Sequence, residues 1–449
     1  MAVAAADSTV ATESTELFRN ITRSDIAKIT VGSTFGTIME WYDFFLAALA
    51  ATTVWPALFF PTLNPAVGLA AAVSTYAITY FTRPIGAYIF GHYGDRLGRR
   101  TMLVWTLVIM GGTMTGIAVL PVYAAIGILA PALLICFRLV IGIGVGGEWG
   151  GAATWVIEFA AKSKRRGFWE GWVMSATPGG LALAVGFFTL IRIYSPSFLF
   201  FVREGWRIAF ALGAVLLVVG VIVRYKLSES PIFNEERRRG TIMKSPATDV
   251  LKKHWGSIIL LGLSWAFVIA LTSGLVIDTA IPLFLAMKVP LLFIDVTVSL
   301  SALAAVVGSV VGGVMGDRIG NRRTLILSAV LSLIFIFPYF YMVRTGDHAL
   351  MAIAMMIVLF LPFLGFGVLG RWFTEYFEAQ HRYSGAGMSY QLGAVFGSVP
   401  TIAPTLLAIA YGGYLKAWPY IGALMVVTCL ISIGAALVSK EPMKLEHTK

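Results

Sequence analysis

Apolar stretches long enough to cross a lipid bilayer recur twelve times along this chain, and this constrains its fold more than any other feature. About 20 helical residues span the ~30 Å of hydrocarbon, and the runs 325–343 and 417–438 are of that kind. Within lipid each backbone polar group must be satisfied by its own segment, which leaves helices or a closed barrel. Runs of this length select helices. Only 13% of the 449 residues are charged, against about 25% in a soluble domain. A soluble enzyme, a nucleic-acid reader and a secreted disulfide scaffold are therefore excluded. The formal net charge of +11 would suggest a nucleic-acid partner in a soluble chain, but here the placement of charge explains it. Cys136 and Cys429 lie in separate apolar runs and imply no disulfide framework.

Hydropathy places the spans at about 33–60, 66–91, 101–120, 124–157, 168–191, 206–227, 256–287, 292–315, 324–343, 349–371, 383–411 and 416–438. The chain then divides into an N-terminal tail (1–32), a six-helix bundle (33–227), a polar linker (228–255) with Arg237, Arg238 and Arg239, a second bundle (256–438) and a short tail (439–449). The N-terminal residues are small and polar without an apolar core, so they read as a tail and not a signal peptide. Of the 34 Lys and Arg, 26 fall in the tails and in the loops after even-numbered spans; the other loops hold Arg192, Arg203, Arg207, Lys288, Arg344 and Lys416. Basic loops stay in the cytosol, so both termini are expected there, with the chain multi-pass in the cell membrane. Anionic lipid would meet this basic face. A monomer is the expected state.

The halves repeat. Gly91-His-Tyr-Gly-Asp-Arg-Leu-Gly-Arg-Arg100 follows the second span, and Gly313-Val-Met-Gly-Asp-Arg-Ile-Gly-Asn-Arg322 follows the eighth, 222 residues later. A weaker echo joins Arg166-x4-Gly171 to Arg382-x4-Gly387 at the starts of the fifth and eleventh spans. Two six-span halves with a solute site between them near the midplane are a transporter plan.

These motifs resemble the major facilitator superfamily. The Gly-x-x-x-Asp-Arg-x-Gly-Arg-Arg signature stands in full at 91–100 and in degenerate form at 313–323, and Arg138-x3-Gly142-x3-Gly146 resembles the superfamily's second motif. Strings such as Gly36-Thr-Ile-Met-Glu-Trp-Tyr-Asp-Phe-Phe45, Arg83-Pro-Ile-Gly86, Gly146-Gly-Glu-Trp-Gly-Gly151 and Glu229-Ser-Pro are similar to the metabolite:proton symporter family within it. The resemblance implies an all-α fold of two pseudo-symmetric six-helix halves, alternating access, and a solute cavity lined by the first, fourth, seventh and tenth helices. Gln, usual before the glycine of the fourth span, is replaced here by Ile141, and Asp278 is outside the family pattern.

Ionisable groups inside hydrocarbon are costly and normally face a cavity or a partner. Asp43 lies about 15 Å into the first span, Arg138 at similar depth in the fourth, so the two can meet. Asp43 then carries the coupling proton and Arg138 answers its charge, or the pair simply pins two helices. Glu40, one turn before Asp43, is a second protonatable group or an interfacial carboxylate. Asp278 can hold a cationic end of the solute or carry the proton itself. Trp265, Tyr390 and Gln391 line the cavity or pack between helices. Glu148 suits a gate or packing role. The glycines of 142–151 follow no phosphate-loop pattern and suit close helix packing.

At the cytosolic face, Asp95 and Asp317 each begin a basic cluster, and such a carboxylate can cap a neighbouring helix N-terminus. Arg96, Arg99 and Arg100 are expected to pair with Glu158 and Glu229, and Arg318, Arg322 and Arg323 with Glu375 and Glu378, forming a gate. No metal-ligand cluster, nucleophile motif or cofactor loop is present, so neither an enzyme nor a cofactor is expected. The sequence thus reads as a proton-coupled symporter of a small organic acid or zwitterion. A sugar or polyol porter and a non-transporting nutrient sensor are the alternatives.

Overall fold

The structure, a computed structural model, describes residues 21–440. The tails 1–20 and 441–449 lie outside the described residues. Twelve helical rods follow one another: α1 (Arg23–Thr53), α2 (Pro65–Ala77 continued by Thr79–Leu97), α3 (Arg99–Val119), α4 (Leu129–Phe159), α5 (Arg166–Tyr194), α6 (Phe198–Tyr225), α7 (Pro246–Ala286), α8 (Leu291–Ile319), α9 (Asn321–Arg344), α10 (His348–Tyr376), α11 (Ala379–Tyr411) and α12 (Tyr414–Val438). No strand occurs among the described residues. Length and apolarity suffice for crossing a membrane in α3 to α12. The first two rods carry the buried charges Glu40, Asp43, Arg83 and Asp95.

Several boundaries differ from the hydropathy reading. The first helix begins at Arg23, inside the stretch taken as a tail, because Thr22 and Asp25 form a capping box there. It ends at Thr53, and Trp55–Phe59 is a separate turn of helix. The linker contains a helix, Pro231–Arg239, capped by the Ser230 side chain and closed by Gly240 in the left-handed region. The seventh rod starts at Pro246 and bends at His254, where the backbone leaves helical geometry. Hydropathy missed the start of α1, the linker helix and the start of α7 because these pieces are polar, and it merged the apolar Trp55–Phe59 turn into the first span.

The two halves have matching anatomy. In the first, α1 packs on α4, α5 and α6, and α2 on α4; in the second, α7 packs on α11 and α12, and α8 on α10. The halves meet along α2–α11, α5–α8 and α4–α11. At the last crossing a Cβ on Gly150 would sit 2.7 Å from the Gly387 Cα, so only glycine permits this approach. Gly98 (φ 111°) and Gly320 (φ 94°) turn the chain between α2 and α3 and between α8 and α9, a backbone region that L side chains resist. They occupy equivalent places in the two repeated motifs. Large apolar residues such as Phe81, Val119, Val215, Leu303, Ile334 and Leu430 face outward, where lipid can cover them.

Candidate functional site

With α4 beginning at Leu129, Arg138 stands nine residues from that end and Asp43 ten from the end of α1. The equal depth brings them together: Arg138 Nη1 donates to Asp43 Oδ2 at 2.8 Å, with both side chains buried. The pair is incompletely satisfied, since Asp43 Oδ1 and Arg138 Nε have no hydrogen-bond partner in the protein. Close by, Arg83 is buried with its guanidinium carbon 5.3 Å from the Trp41 ring centroid and 4.9 Å from those of Phe44 and Tyr80. Its Nε and Nη1 are unpartnered, as are both oxygens of Glu40, the Tyr80 hydroxyl and the Trp41 indole nitrogen. Glu40 and Arg83 lie within electrostatic reach of one another. Buried polar groups are normally bonded, so this concentration of open donors and acceptors sets the region apart as the candidate site.

The reach of Glu40, Arg83 and Tyr80 extends to Tyr390 of α11. Tyr390 lies between two indoles: Trp149 of α4, at 3.8 Å and nearly parallel, and Trp265 of α7, at 4.4 Å. This three-ring stack, with Phe366 and Phe373 on its edges, joins both halves on the motif side of the Asp43–Arg138 pair. Gln391 is placed against the opposite half, its amide nitrogen 3.4 and 3.3 Å from the carbonyls of Val145 and Gly146. Asp278 is half-buried in the π-helical stretch Ala270–Ala280 of α7, within reach of Tyr76, Tyr80 and Tyr414. Tyr80 also belongs to the ring cage of Arg83, so Asp278 borders the central region from the side of Tyr76 and Tyr414.

Glu148 belongs to a second buried network. Arg224 of α6 donates through Nη1 to Glu148 Oε2 at 2.7 Å and through Nη2 to Oε1; Thr106 adds a bond at 2.7 Å. Arg224, near the end of the sixth apolar run, is fully buried.

On the face bearing the motifs (the inner face), each repeated aspartate crosses to the other half. Asp95 accepts from the backbone N–H of Tyr383 (3.2 Å) and Ser384 (3.0 Å) and from the Ser384 hydroxyl (2.7 Å), at the start of α11. Asp317 accepts from the N–H of Gly167 (2.8 Å) and Phe168 (3.1 Å), at the start of α5. Each carboxylate sits at the positive end of a helix dipole. Beside Asp95, Arg99 donates to Glu158 at 3.0 Å, Arg382 reaches the same carboxylate at 3.4 Å, and the Ser230 hydroxyl holds its other oxygen. Beside Asp317, Arg371 bonds Asp317 at 2.8 Å and Glu375 at 3.1 Å, and Arg166 bonds Glu375 at 3.0 Å. The inner face is shut along both seams. On the opposite face the halves are tied between α5 and α8, where Arg192 and Thr189 hold Asp295.

The family model of the Major Facilitator Superfamily matches residues 44–370. The chain belongs to this superfamily. It is 34% identical over 395 residues to the inner membrane metabolite transport protein YhjE of Escherichia coli K12, covering 85% of this chain and 87% of that protein. It is 32% identical to the shikimate transporter of the same organism, covering 93% and 95%. Among solved structures, the proton:xylose symporter XylE bound to 6-bromo-6-deoxy-D-glucose superposes with a TM-score of 0.73 at 17% identity, covering 93% of this chain and 96% of that one. The last likeness concerns the fold. The protein is accordingly a multi-pass membrane transporter of a small molecule, not an enzyme.

For this superfamily member, several expected gate pairings need correction. Arg96 is exposed and contacts His92, four residues earlier. Arg100 meets Glu229 only through its backbone N–H, as does Arg99, so Glu229 caps the start of α3 instead of forming an ion pair. In the second half, Arg318 and Arg323 are exposed, Arg322 bonds the Leu437 carbonyl, and Glu378 is exposed. The partners of Glu375 and Asp317 come instead from Arg166 and Arg371. The position matching Arg99 is Asn321 in this half, so the charged partners come instead from α5 and α10. Arg83, Arg166, Arg224, Arg371 and Arg382 were not singled out as site or gate partners by the sequence. An arginine inside or at the rim of an apolar run is the signal that could have found them.

Proposed function

We propose that the protein is a proton-coupled symporter of a small organic acid or zwitterion, working by alternating access with its inner face and both termini in the cytosol. The observation that carries this reading is the buried, half-satisfied Asp43–Arg138 pair beside the open donors of Arg83. A protonated Asp43 no longer neutralises Arg138, so Arg138 becomes free to hold an anionic group together with Arg83. Proton and solute then each favour the state that can switch, and only such differential binding moves a conformational equilibrium. Arginine suits this task through its fixed fork of donors. Trp41, Phe44 and Tyr80 supply the apolar wall, and the Trp149–Tyr390–Trp265 stack forms the floor that separates solute from the cytosol. The relatives named for metabolite and shikimate transport support a small polar solute over a sugar.

The reading is tested by counterflow of labelled candidate acids in proteoliposomes, with and without a pH gradient. Asp43→Asn imitates the protonated carboxyl permanently. It is expected to bind and exchange solute while losing accumulation against a gradient, and Arg138→Ala is expected to lose binding. Accumulation that persists in Asp43→Asn would transfer the proton-carrying role to Glu40 or Asp278. If instead the pair only pins α1 to α4, both single variants lose stability and the double neutral variant recovers it.

A further inference from the structure

A carboxylate that takes no part in the central site lies inside the seam between the halves. Glu170, on α5, is fully buried, and neither of its oxygens has a hydrogen-bond partner in the protein. Its carboxyl rests against the backbone of α10 at Gly370, where a Cβ would collide with it. The internal repeat shows how specific this arrangement is. Arg166 and Gly171 correspond to Arg382 and Gly387, which places Ala386 opposite Glu170; Glu158 and Glu375 correspond, which places Ala153 opposite Gly370. The first seam therefore carries two buried alanines, Ala153 and Ala386. The second exchanges them for an acid and a glycine that makes room for it. Close packing alone needed no such exchange.

The charged groups on the elements around Glu170 are Arg166 on α5, Asp317 on α8, Arg371 and Glu375 on α10, Arg138, Glu148 and Glu158 on α4, and Glu40, Asp43 and residues nearer the start of α1. Of these, Glu375 is the one that acts on it electrostatically, and it has the same sign. Arg166 and Arg371 are engaged with Glu375. An ionised carboxylate without water, donor or counter-ion, next to a second carboxylate, is strongly disfavoured. Opening the inner face separates α5 from α10 and lets water reach it.

We propose that Glu170 is a proton site of the inner gate: closing the α5–α10 seam takes one proton from the cytosol onto this carboxylate, and opening returns it to the same side. The proton leaves as hydronium when the carboxyl ionises, so no other reactant is needed. Because it enters and leaves on one side, it adds nothing to the coupling between proton and solute. It instead makes the gate answer cytosolic pH, and acid holds the inner face shut.

The test uses the full chain in nanodiscs with both cysteines replaced, spin labels at Lys164→Cys and Arg323→Cys, and Glu236→Gln as background to remove another acid near the gate. Label distance gives the ratio of open to closed molecules between pH 5.5 and 8.5. One proton changes that ratio by up to tenfold per pH unit. Glu170→Gln is expected to lower the slope by one proton and to raise the closed fraction at high pH. The double variant Glu170→Ala/Gly370→Ala, which copies the other seam, is expected to do the same if glutamine packs poorly. An unchanged slope in both variants overturns the proposal. The nanodisc leaves both faces in one buffer, so the result does not depend on orientation. The part of the slope lost in Glu170→Gln is expected to be lost equally in an Asp43→Asn background, and accumulation of solute against a gradient, the readout of the coupling mechanism, is expected to survive in Glu170→Gln, so the two ideas fail separately.

Discussion

The two seams of the inner face descend from one repeated pattern and hold themselves shut differently. At the α2–α11 seam, Asp95, Arg99 and Glu158 have fully buried side chains. At the α8–α5 seam, Asp317, Arg371 and Arg166 retain 12–18% of their exposure. The difference traces to one position: Arg99 is matched by Asn321, whose buried oxygen finds no partner in the protein. Asn321 cannot reach across to Glu375, and Arg371, rising from α10 at the rim, replaces it. The first seam is therefore a sealed ionic cluster and the second a wetter one. Breaking one partner of a buried cluster leaves an uncompensated charge, whereas water screens the loss at an exposed one.

The largest effect is therefore expected from Glu158→Gln, which removes the carboxylate shared by Arg99 and Arg382 and leaves Asp95 as the acid beside Arg99. A cost of ~3–5 kcal/mol applies to breaking a buried pair, visible as a lower Tm in detergent and as loss of the closed state in the label-distance measurement. Glu375→Gln should cost less, because Arg166 and Arg371 are each 18% exposed and Arg371 keeps Asp317 as a partner. Equal damage from the two variants would mean that burial does not distinguish the seams.

Next come the helix-capping aspartates. Hydrogen bonds to a charged group contribute roughly 1.5–3 kcal/mol, so Asp95→Asn should shift the gate equilibrium about ten- to a hundred-fold and slow the transport cycle. Asp317→Asn is expected to act in the same direction but less. Equilibrium binding of solute should survive in both, because neither residue touches the Asp43–Arg138 region. Loss of binding in a folded Asp95→Asn protein would remove Asp95 from the gate and place it in the solute site.

The smallest effect concerns the linker helix. Burial pushes the Glu236 carboxyl from its ordinary 4.5 up to about 7; Arg99 opposes this rise while Glu158 and Asp95 add to it. If opening the first seam restores the ordinary value, the closed form binds the proton more tightly. Closure is then favoured progressively as pH falls from 7 towards 4.5, and the favour is lost as pH rises through 7. Glu236→Gln should flatten the gate's pH response within that window. A response unchanged there would separate the linker helix from the gate.

The candidate site was partly legible before any tertiary contact was known. Asp43 and Arg138 could be paired from depth alone, because helical rise converts residue counts into distance along a membrane normal. The capping role of Asp95 and Asp317 was likewise readable, since a fixed acid among arginines needs a positive partner. Their targets were not, for the start of α11 lies 288 residues from Asp95 and no local pattern selects it. Arg371 illustrates the same limit: it sits just beyond an apolar run, and its role appears only when α10 is laid against α8.

What the sequence alone determined was the class of fold, twelve apolar segments in two related halves, because bilayer thickness and backbone hydrogen bonding leave few other solutions. It also determined which residues had to be sheltered from lipid. Tertiary structure decided how they were sheltered. It placed Arg224 beside Glu148, gave Arg83 an aromatic cage without a paired carboxylate, and buried Glu170 against a glycine of the opposite half. Charge sequestration depends on which helix faces cross, and those faces are set by close contacts such as Gly150 against Gly387, hundreds of residues apart.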